Sequence, residues 1–233
     1  MNKLDAQFQD IFDRVAAAAV RSGRPADAVT IIAVSKKQPV ALIQSYIDFC
    51  ADRGYQCVLG ENYVQEWALK KPLLTGVYTA HAIGHLQSNK IKEAAALFES
   101  IQTIDSKKSI DVLAKLHRDS PMPLWLQVNI SSDDNKFGVA EDGIEALCAT
   151  IQSCPALKLV GLMTITKAYD HPEEARPDFK KLHQISLSIS RDICHGEPLL
   201  LSMGMSDDFE IAIEEGATHV RIGSALFGAR QYP

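Results

Sequence analysis

The chain has 233 residues, of which 46% are hydrophobic and 23% are charged, and this composition is typical of a globular protein with a large core. Its net charge is −5 and its basic residues form no long run, which argues against nucleic acid or a membrane surface as a partner. No apolar run approaches the roughly 20 residues of a membrane span.

The elements predicted in chain order form a regular alternation. Asp5, Asp10 and Asp13 recur at helical spacing, which predicts an amphipathic N-terminal helix and not a signal peptide. Strands are then predicted over 30–35, 56–59, 78–83, 99–103, 123–130, 157–163, 198–202 and 218–222. Helices are predicted over 40–52, 62–71, 88–96, 107–118, 141–153, 173–193 and 207–215, with a short one from 224. Eight strand-then-helix units in about 200 residues favour a single-domain (β/α)8 TIM barrel over 1–233, with an extra N-terminal helix, rather than an open sheet.

The most informative segment is 31–39, IIAVSKKQP. Its apolar half predicts a buried parallel strand, and Pro39 suits the first turn of the helix that follows. Lys36 and Lys37 come between the two, at the end of the strand where α/β enzymes keep their chemistry. Because side chains alternate across a strand, only one of the two lysines is expected to point into a site. The ordinary interpretation of such a pair is that both are solvated.

Two later loops look suited to a phosphate. The segment 202–208, SMGMSDD, follows the seventh strand, and 221–224, RIGS, follows the eighth. Barrels commonly bind phosphate between these two loops, at the N-terminus of a short extra helix. Ser206 or Asp207 could instead cap the following helix, and capping is the favoured interpretation for both.

A phosphate site beside a strand-end lysine suggests pyridoxal 5′-phosphate (PLP), whose aldehyde forms a Schiff base with a lysine amine. Other phosphorylated ligands would fit the same loops, so the spacing alone leaves the cofactor open. The sequence has no P-loop and no GxGxxG motif. No His, Cys or Glu cluster has metal-ligand spacing, so no metal is expected.

Five other positions have simpler predicted roles. His219 is predicted to pack inside the barrel, one layer below Arg221, and Trp125 is predicted to lie in the core. Lys136 is predicted to be a solvated loop lysine, with a second aldehyde-reactive amine as the alternative. Glu61 and Tyr63 are predicted to start the helix after the second strand.

Seven stretches, in order along nearly the whole chain, resemble the pyridoxal phosphate homeostasis proteins of the YggS/PROSC type, which are related to the N-terminal barrel of alanine racemase. They are AVSKKQP (33–39), GENYVQE (60–66), IGHLQSNK (83–90), QVNISSDDNKFGV (127–139), GLMTI (161–165), LSMGMSDDFEIAI (201–213) and VRIGSALFGAR (220–230). Lys37 departs from the pattern, since a small polar residue is commoner there.

The resemblance implies a barrel of the alanine racemase N-terminal type that holds PLP covalently, as a Schiff base on Lys36. It implies phosphate contacts from Ser202 and from the backbone of Gly223 and Ser224. It also implies that Arg221 lies near the pyridine nitrogen and that Asn62 and Met203 line the cofactor pocket.

Three functions compete. The chain could hold PLP and hand it on without turnover, it could be a small racemase or other PLP-dependent enzyme acting on an amino acid, or it could be a phosphate-ligand barrel enzyme without a covalent cofactor. The resemblance at Lys36 disfavours the third. The racemase relatives add a C-terminal β domain that supplies a second acid/base group, whereas this chain ends at Pro233, directly after the eighth unit. We therefore expect a PLP homeostasis protein that is not an enzyme and has no catalytic residues.

The expected partners are PLP and, as its recipients, the apo forms of PLP-dependent enzymes. Five cysteines without CxxC spacing are typical of reduced, mostly buried thiols, so we expect a cytoplasmic protein. We expect it to be a monomer or a weak dimer.

Overall fold

A computed structural model describes residues 3–133 and 136–228, and in it eight parallel strands close into a barrel. The strands are β1 (Thr30–Val34), β2 (Val58–Glu61), β3 (Thr79–Ala82), β4 (Ser100–Ile104), β5 (Met122–Val128), β6 (Leu157–Thr164), β7 (Leu200–Ser202) and β8 (His219–Ile222). The helices are α1 (Lys3–Arg21), α2 (Val40–Arg53), α3 (Val64–Lys70), α4 (Ile91–Leu97), α5 (Lys107–Leu113), α6 (Ile144–Gln152), α7 (Arg176–Asp192), α8 (Phe209–Glu214) and α9 (Ser224–Phe227). The predicted barrel with an extra N-terminal helix is confirmed. The predicted single-domain span 1–233 stays a prediction, and its residues 1–2, 134–135 and 229–233 lie outside the described residues.

Strand pairing follows chain order and is closed by the pairing of β1 with β8. In that pair Ile32 lies opposite Arg221, and on the other side of β1 Val34 lies opposite Gly60. Because all eight strands run in the same direction, their C-terminal ends meet at one rim. The two sequence segments predicted to form the site, which lie near opposite ends of the chain, therefore become neighbours at this rim.

Helix α1 covers the junction between the first and the last units. Its buried residues Phe8, Ile11 and Val15 recur at the spacing of one helical face. The Phe8 ring meets Tyr46 of α2 edge-on at 5.2 Å between centroids and Phe227 of α9 at 6.0 Å. The helix thus packs against α2 of the first unit and α9 of the last unit, and it stabilises the pairing of β1 with β8.

Side chains that alternate along the strands form two cores. Residues such as Ile31 and Ala33 face the helices and belong to the main hydrophobic cluster. The other set faces the barrel interior, where Trp125 is 1% exposed, as predicted. The interior space for this indole depends on Gly161, since a Cβ at that position would lie 2.5 Å from Trp125 Cε3 and would also meet the Leu200 carbonyl oxygen.

The boundaries of several elements differ from the predictions. The strand predicted over 56–59 is β2 at Val58–Glu61, because the Glu61 carbonyl still accepts a ladder hydrogen bond from Ile83 N–H at 2.9 Å. Glu61 therefore ends a strand, and the prediction that it starts a helix is wrong; Tyr63 is the N-cap of α3. The helices predicted over 141–153 and 173–193 begin as 3-10 turns, at Glu141–Gly143 and Pro172–Ala175.

Two expectations from the sequence concern the length of its apolar segments and the burial of its cysteines. None of the helices within the described ranges is both long and apolar enough to cross a membrane. Cys50, Cys57, Cys148 and Cys194 are buried and Cys154 is half-buried, so the predicted burial of most thiols is confirmed.

The contact between Gly161 and Trp125 gives a test of interior packing. Gly161→Ala should lower the free energy of unfolding by about 1–3 kcal/mol, because the added methyl has to displace a buried ring or a strand carbonyl. Denaturant unfolding followed by tryptophan fluorescence measures this. Lys158→Ala, at an exposed position of the same strand, is the control and should change the free energy by no more than about 0.5 kcal/mol. Equal effects would mean that the barrel interior has room for the methyl.

Candidate functional site

The chain turns sharply after β1, and this turn carries the two lysines. The Ser35 carbonyl accepts a hydrogen bond from Gln38 N–H at 3.1 Å, so Lys36 and Lys37 occupy the two corners of a β-turn. Lys37 has φ = 58°, a left-handed conformation that costs about 1–2 kcal/mol for a residue other than glycine. The strand ends at Val34, one residue earlier than predicted. Lys36 is half-buried and Lys37 is exposed. Because both lysines lie beyond the strand, strand alternation does not apply to them, and the prediction that only one of them points into a site stays a prediction.

A buried ion cluster lies directly behind this turn. Lys70 Nζ is 3.3 Å from Glu61 Oε1 and 2.5 Å from Glu66 Oε1, and it donates to the Ser35 carbonyl at 2.9 Å. Glu61 Oε1 also accepts from the Ser35 hydroxyl at 2.8 Å. Burial raises the pKa of Glu61 to about 7, an effect that the nearby Lys70 ammonium opposes. Two carboxylates thus share one ammonium, and the cluster carries an excess negative charge when both are ionised.

Inside the barrel, a chain of hydrogen bonds begins at Arg221. The fully buried guanidinium donates from Nη1 to Ser202 Oγ at 2.9 Å and from Nη2 to the Thr164 carbonyl at 2.7 Å. Ser202 Oγ in turn donates to Gln102 Oε1 at 2.7 Å. Burial lowers the pKa of Arg221 to about 10, which still leaves it protonated at neutral pH. Ser202, predicted to contact a phosphate, therefore has its hydroxyl between Arg221 and Gln102.

This chain of hydrogen bonds ends at His81, whose ring stacks on that of His219 at 6.4 Å between centroids. Gln102 Nε2 lies 2.9 Å from His81 Nδ1, and since an amide nitrogen only donates, Nδ1 is the acceptor. Burial lowers the pKa of His81 to about 4 and that of His219 to about 3. Both rings are therefore neutral at neutral pH. The His219 ring meets Trp125 edge-on at 4.9 Å, which confirms its predicted place in the barrel interior.

The loops after β7 and β8 meet at the start of α9. Gly204, with φ = 87°, turns the chain after β7, and its carbonyl accepts from Arg221 N–H at 3.0 Å. The turn brings Ser206 Oγ to 3.3 Å from Ser224 Oγ and 3.4 Å from the Ala225 nitrogen. The N-cap of α8 is Asp208, so the predicted capping role of Ser206 and Asp207 is wrong. Sequence reasoning therefore missed Ser206, although a serine at a fixed offset beyond a turning glycine was a usable signal.

Strand β1 and the loop after β8 are in contact. A Cβ built on Gly223 would lie 3.4 Å from Val34 Cβ, an ordinary van der Waals distance. Lys36 follows Val34 by two residues, and the backbone N–H groups of a first helical turn have no partner within the helix. The structure thus brings the end of β1, which the lysine turn follows directly, beside Gly223 at the start of α9.

A cleft of about 330 Å³ opens at the rim beside Asn62, and Ile83, Gln127, Phe137 and Ile165 are among its other lining residues. Within residues 3–133 and 136–228, Asn62 Oδ1 is one of three buried side-chain oxygens that have no hydrogen-bond partner. The His85 ring stacks on the exposed Phe137 ring at 3.7 Å between centroids. Asn62 therefore lines the cleft while its side-chain oxygen, unpartnered within the described residues, is buried.

Two predicted residues lie elsewhere. The Met203 side chain is fully buried in the hydrophobic cluster between strands and helices. Lys136 is half-buried and donates to the Thr166 carbonyl at 2.8 Å, so its prediction as a simple solvated lysine is wrong. In the part of the chain that the structure describes, no three His, Cys, Asp or Glu side chains are grouped to hold a metal.

Comparison with known proteins places this geometry in context. Residues 17–231 match the family model described as alanine racemase, N-terminal domain. The pyridoxal phosphate homeostasis protein of Aquifex aeolicus is 35% identical over 228 residues, covering 95% of this chain and 96% of that protein. The solved structure of PipY from Synechococcus elongatus PCC7942, with PLP bound, has a TM-score of 0.78 and 30% identity, covering 92% of this chain and 99% of that chain. Alanine racemase from Corynebacterium glutamicum shares the fold alone, with a TM-score of 0.69 and 14% identity over 98% of this chain and 62% of its own.

The buried hydroxyl of Ser202 gives a test of the interior chain. Ser202→Ala should lower the free energy of unfolding by about 1–3 kcal/mol, because it leaves a guanidinium N–H and an amide oxygen without a buried partner. Ser206→Ala is the matched control, since its half-buried hydroxyl lies at the rim, and it should cost no more than about 0.5 kcal/mol. Denaturant titration of both variants measures the difference. A small, equal change would contradict the assignment of Ser202 to the chain that begins at Arg221.

Proposed function

Because this chain belongs to the family of pyridoxal phosphate homeostasis proteins, within the alanine racemase N-terminal domain family, we propose that it binds PLP at the rim of its barrel. We further propose that it holds PLP as a Schiff base on Lys36 and takes part in PLP homeostasis as a carrier. The observation that carries the proposal is the contact between β1 and β8. Gly223 lies against Val34 where β1 pairs with β8, which supports one shared site for the lysine turn and the loops after β7 and β8.

The residues present fit this cofactor. PLP, when bound, supplies an aldehyde for an amine, a phosphate anion and a pyridine nitrogen that accepts hydrogen bonds. The site offers an amine at Lys36, hydroxyl and amide donors around the start of α9, and a buried guanidinium at Arg221. Asn62 Oδ1, buried and unpartnered within the described residues, is an acceptor for a ligand donor. Each recognisable part of the cofactor thus has a group of matching chemistry.

Ser206, Ser224 and the backbone of Gly223 are the proposed phosphate ligands. The two hydroxyls lie 3.3 Å apart, and the Ala225 nitrogen lies 3.4 Å from Ser206 Oγ. Gly223 is the N-cap of the same helix, and backbone N–H groups at a helix start favour an anion. Ser202 is a weaker candidate than the sequence suggested, because its hydroxyl already serves Gln102 and Arg221 inside the barrel. Its proposed role is to support Arg221.

Lys36 is the proposed attachment point. Its amine nitrogen would form a C=N bond with the aldehyde carbon and release one water. Lys36 is the half-buried member of the pair, whereas Lys37 is exposed and its backbone N–H is held by Glu66 Oε1 at 2.6 Å. The half-buried amine is the better placed of the two for the rim site.

We propose a carrier rather than an amino-acid racemase, and the protonation state of Arg221 is consistent with this proposal without by itself excluding racemisation. Its guanidinium stays protonated at neutral pH and only donates, so it would keep a facing pyridine nitrogen unprotonated. This weakens the electron withdrawal on which PLP-dependent amino-acid chemistry relies.

Reduction with borohydride tests the attachment point. Protein incubated with PLP should develop a visible absorbance band that borohydride removes, and peptide mapping should locate the reduced adduct on Lys36. Lys36→Ala should fold normally and lose the band, because a rim side chain leaves the barrel core intact. Lys37→Ala is the matched control and should retain it. An adduct found on Lys37 or Lys136 in place of Lys36 would refute the assignment.

Substitution of Gly223 tests the proposed phosphate site, in the loops after β7 and β8, separately from the covalent bond. Pyridoxine 5′-phosphate has no aldehyde, so its affinity reports phosphate and ring binding alone. Gly223→Val should weaken that affinity by about tenfold or more, because the larger side chain moves the helix-start amides away from the anion. Calorimetry with Gly223→Ala and Lys136→Ala as controls should show a smaller loss and no loss, respectively. Equal losses in Gly223→Val and Lys136→Ala would move the phosphate site elsewhere.

A further inference from the structure

We propose that Lys70, Glu66 and Glu61 are positioning residues that hold the turn carrying Lys36 in its left-handed conformation. The proposal deepens the proposed function, because it assumes that the turn exists to present Lys36 to PLP. The three residues come from the end of β2 and from α3, and none of them is a proposed PLP ligand.

The turn requires an external support because its own sequence does not favour it. A turn with positive φ at its third position usually has glycine or asparagine there. Here the residue is Lys37, with φ = 58°. A strained backbone of this kind persists only where the surrounding structure determines it.

Each side of the strained turn is held by one side chain of the cluster. Lys70 Nζ donates to the Ser35 carbonyl at 2.9 Å, on the same oxygen that accepts the turn hydrogen bond from Gln38. Glu66 Oε1 accepts from the Lys37 backbone N–H at 2.6 Å, at the strained residue itself. The strand end before the turn and its strained corner are therefore fixed by charged groups.

Glu61 links these contacts to the strand. Its Oε1 accepts from the Ser35 hydroxyl and lies 3.3 Å from Lys70 Nζ. Its side chain is completely buried, and within the described residues its Oε2 has no hydrogen-bond partner. A buried carboxylate that is only half satisfied is poorly explained by stability alone. A positioning role, in which Glu61 orients both Ser35 and Lys70, accounts for its place.

Lys71 provides a matched control within the same helical segment. Its Nζ also donates to a backbone carbonyl, that of Leu97, at 2.6 Å, and pairs with the Glu99 carboxylate at 3.1 Å. Lys70→Met and Lys71→Met therefore each remove an ammonium that links a carbonyl to a carboxylate. Only the first of them touches the lysine turn.

The first measurement uses the protein without PLP. Amide hydrogen exchange at Lys37 and Gln38, relative to exchange at core strand amides, should accelerate by about tenfold in Lys70→Met and by no more than about twofold in Lys71→Met. Glu66→Gln keeps an oxygen acceptor for Lys37 N–H and should stay close to the wild type. Glu66→Ala removes the acceptor and should resemble Lys70→Met, which keeps the test valid if Lys70→Met fails to fold.

The second measurement separates positioning from general damage. In Lys70→Met the rate of forming a borohydride-reducible adduct on Lys36 should fall by about tenfold, while the affinity for pyridoxine 5′-phosphate stays within about twofold of wild type. Equal effects of Lys70→Met and Lys71→Met, or unchanged exchange and adduct formation in Lys70→Met, would overturn the proposal. If the wild type forms no adduct on Lys36, the proposed function fails, and the exchange measurement still decides whether the cluster holds the turn.

Discussion

The buried guanidinium of Arg221 sets the polarity of the barrel interior. Because arginine has no acceptor, the hydrogen bond to Ser202 has only one possible direction, and the bonds from Ser202 to Gln102 and from Gln102 to His81 follow from it. The order of donors and acceptors therefore runs from β8 towards β3 without ambiguity. It also agrees with a neutral His81, because burial lowers the pKa of this ring and its Nδ1 accepts a hydrogen bond instead of carrying a proton.

Closure of the barrel makes the site possible, because it joins the first strand to the last. The lysine turn follows β1, the phosphate loops follow β7 and β8, and they meet only because β1 pairs with β8. Helix α1 stabilises that pairing from outside through Phe8, which contacts α2 and α9. The extra N-terminal helix thus supports the junction at which the proposed ligands converge. The helix contributes to the site indirectly, because it stabilises the pairing of β1 with β8.

The sequence predicts the barrel well because alternation of strands and helices depends on local residue patterns. Prediction from the sequence fails where the role of a residue depends on a partner that is distant in sequence. Glu61 looked like a helix start, since a carboxylate rarely ends a buried strand, and only Lys70 and Ser35 make that position acceptable. Ser202 was expected to contact a phosphate and Ser206 to cap a helix, and the environments that they have instead depend on the turn at Gly204. The predicted roles of Lys36, Asn62, Arg221, Gly223 and Ser224 in holding PLP stay predictions that the geometry supports.

The left-handed backbone at Lys37 has a consequence for how this chain can vary. We expect position 37 to accept a change of side-chain length, because the side chain is exposed and the backbone N–H is held by Glu66. It should exclude branching at Cβ, which conflicts with positive φ. Glycine would remove the strain and would also let the turn explore many other conformations. Substitution at this position is therefore limited on two sides. A β-branched residue would not adopt the turn, and glycine would not hold it in one conformation, whereas an unbranched side chain such as lysine avoids both problems.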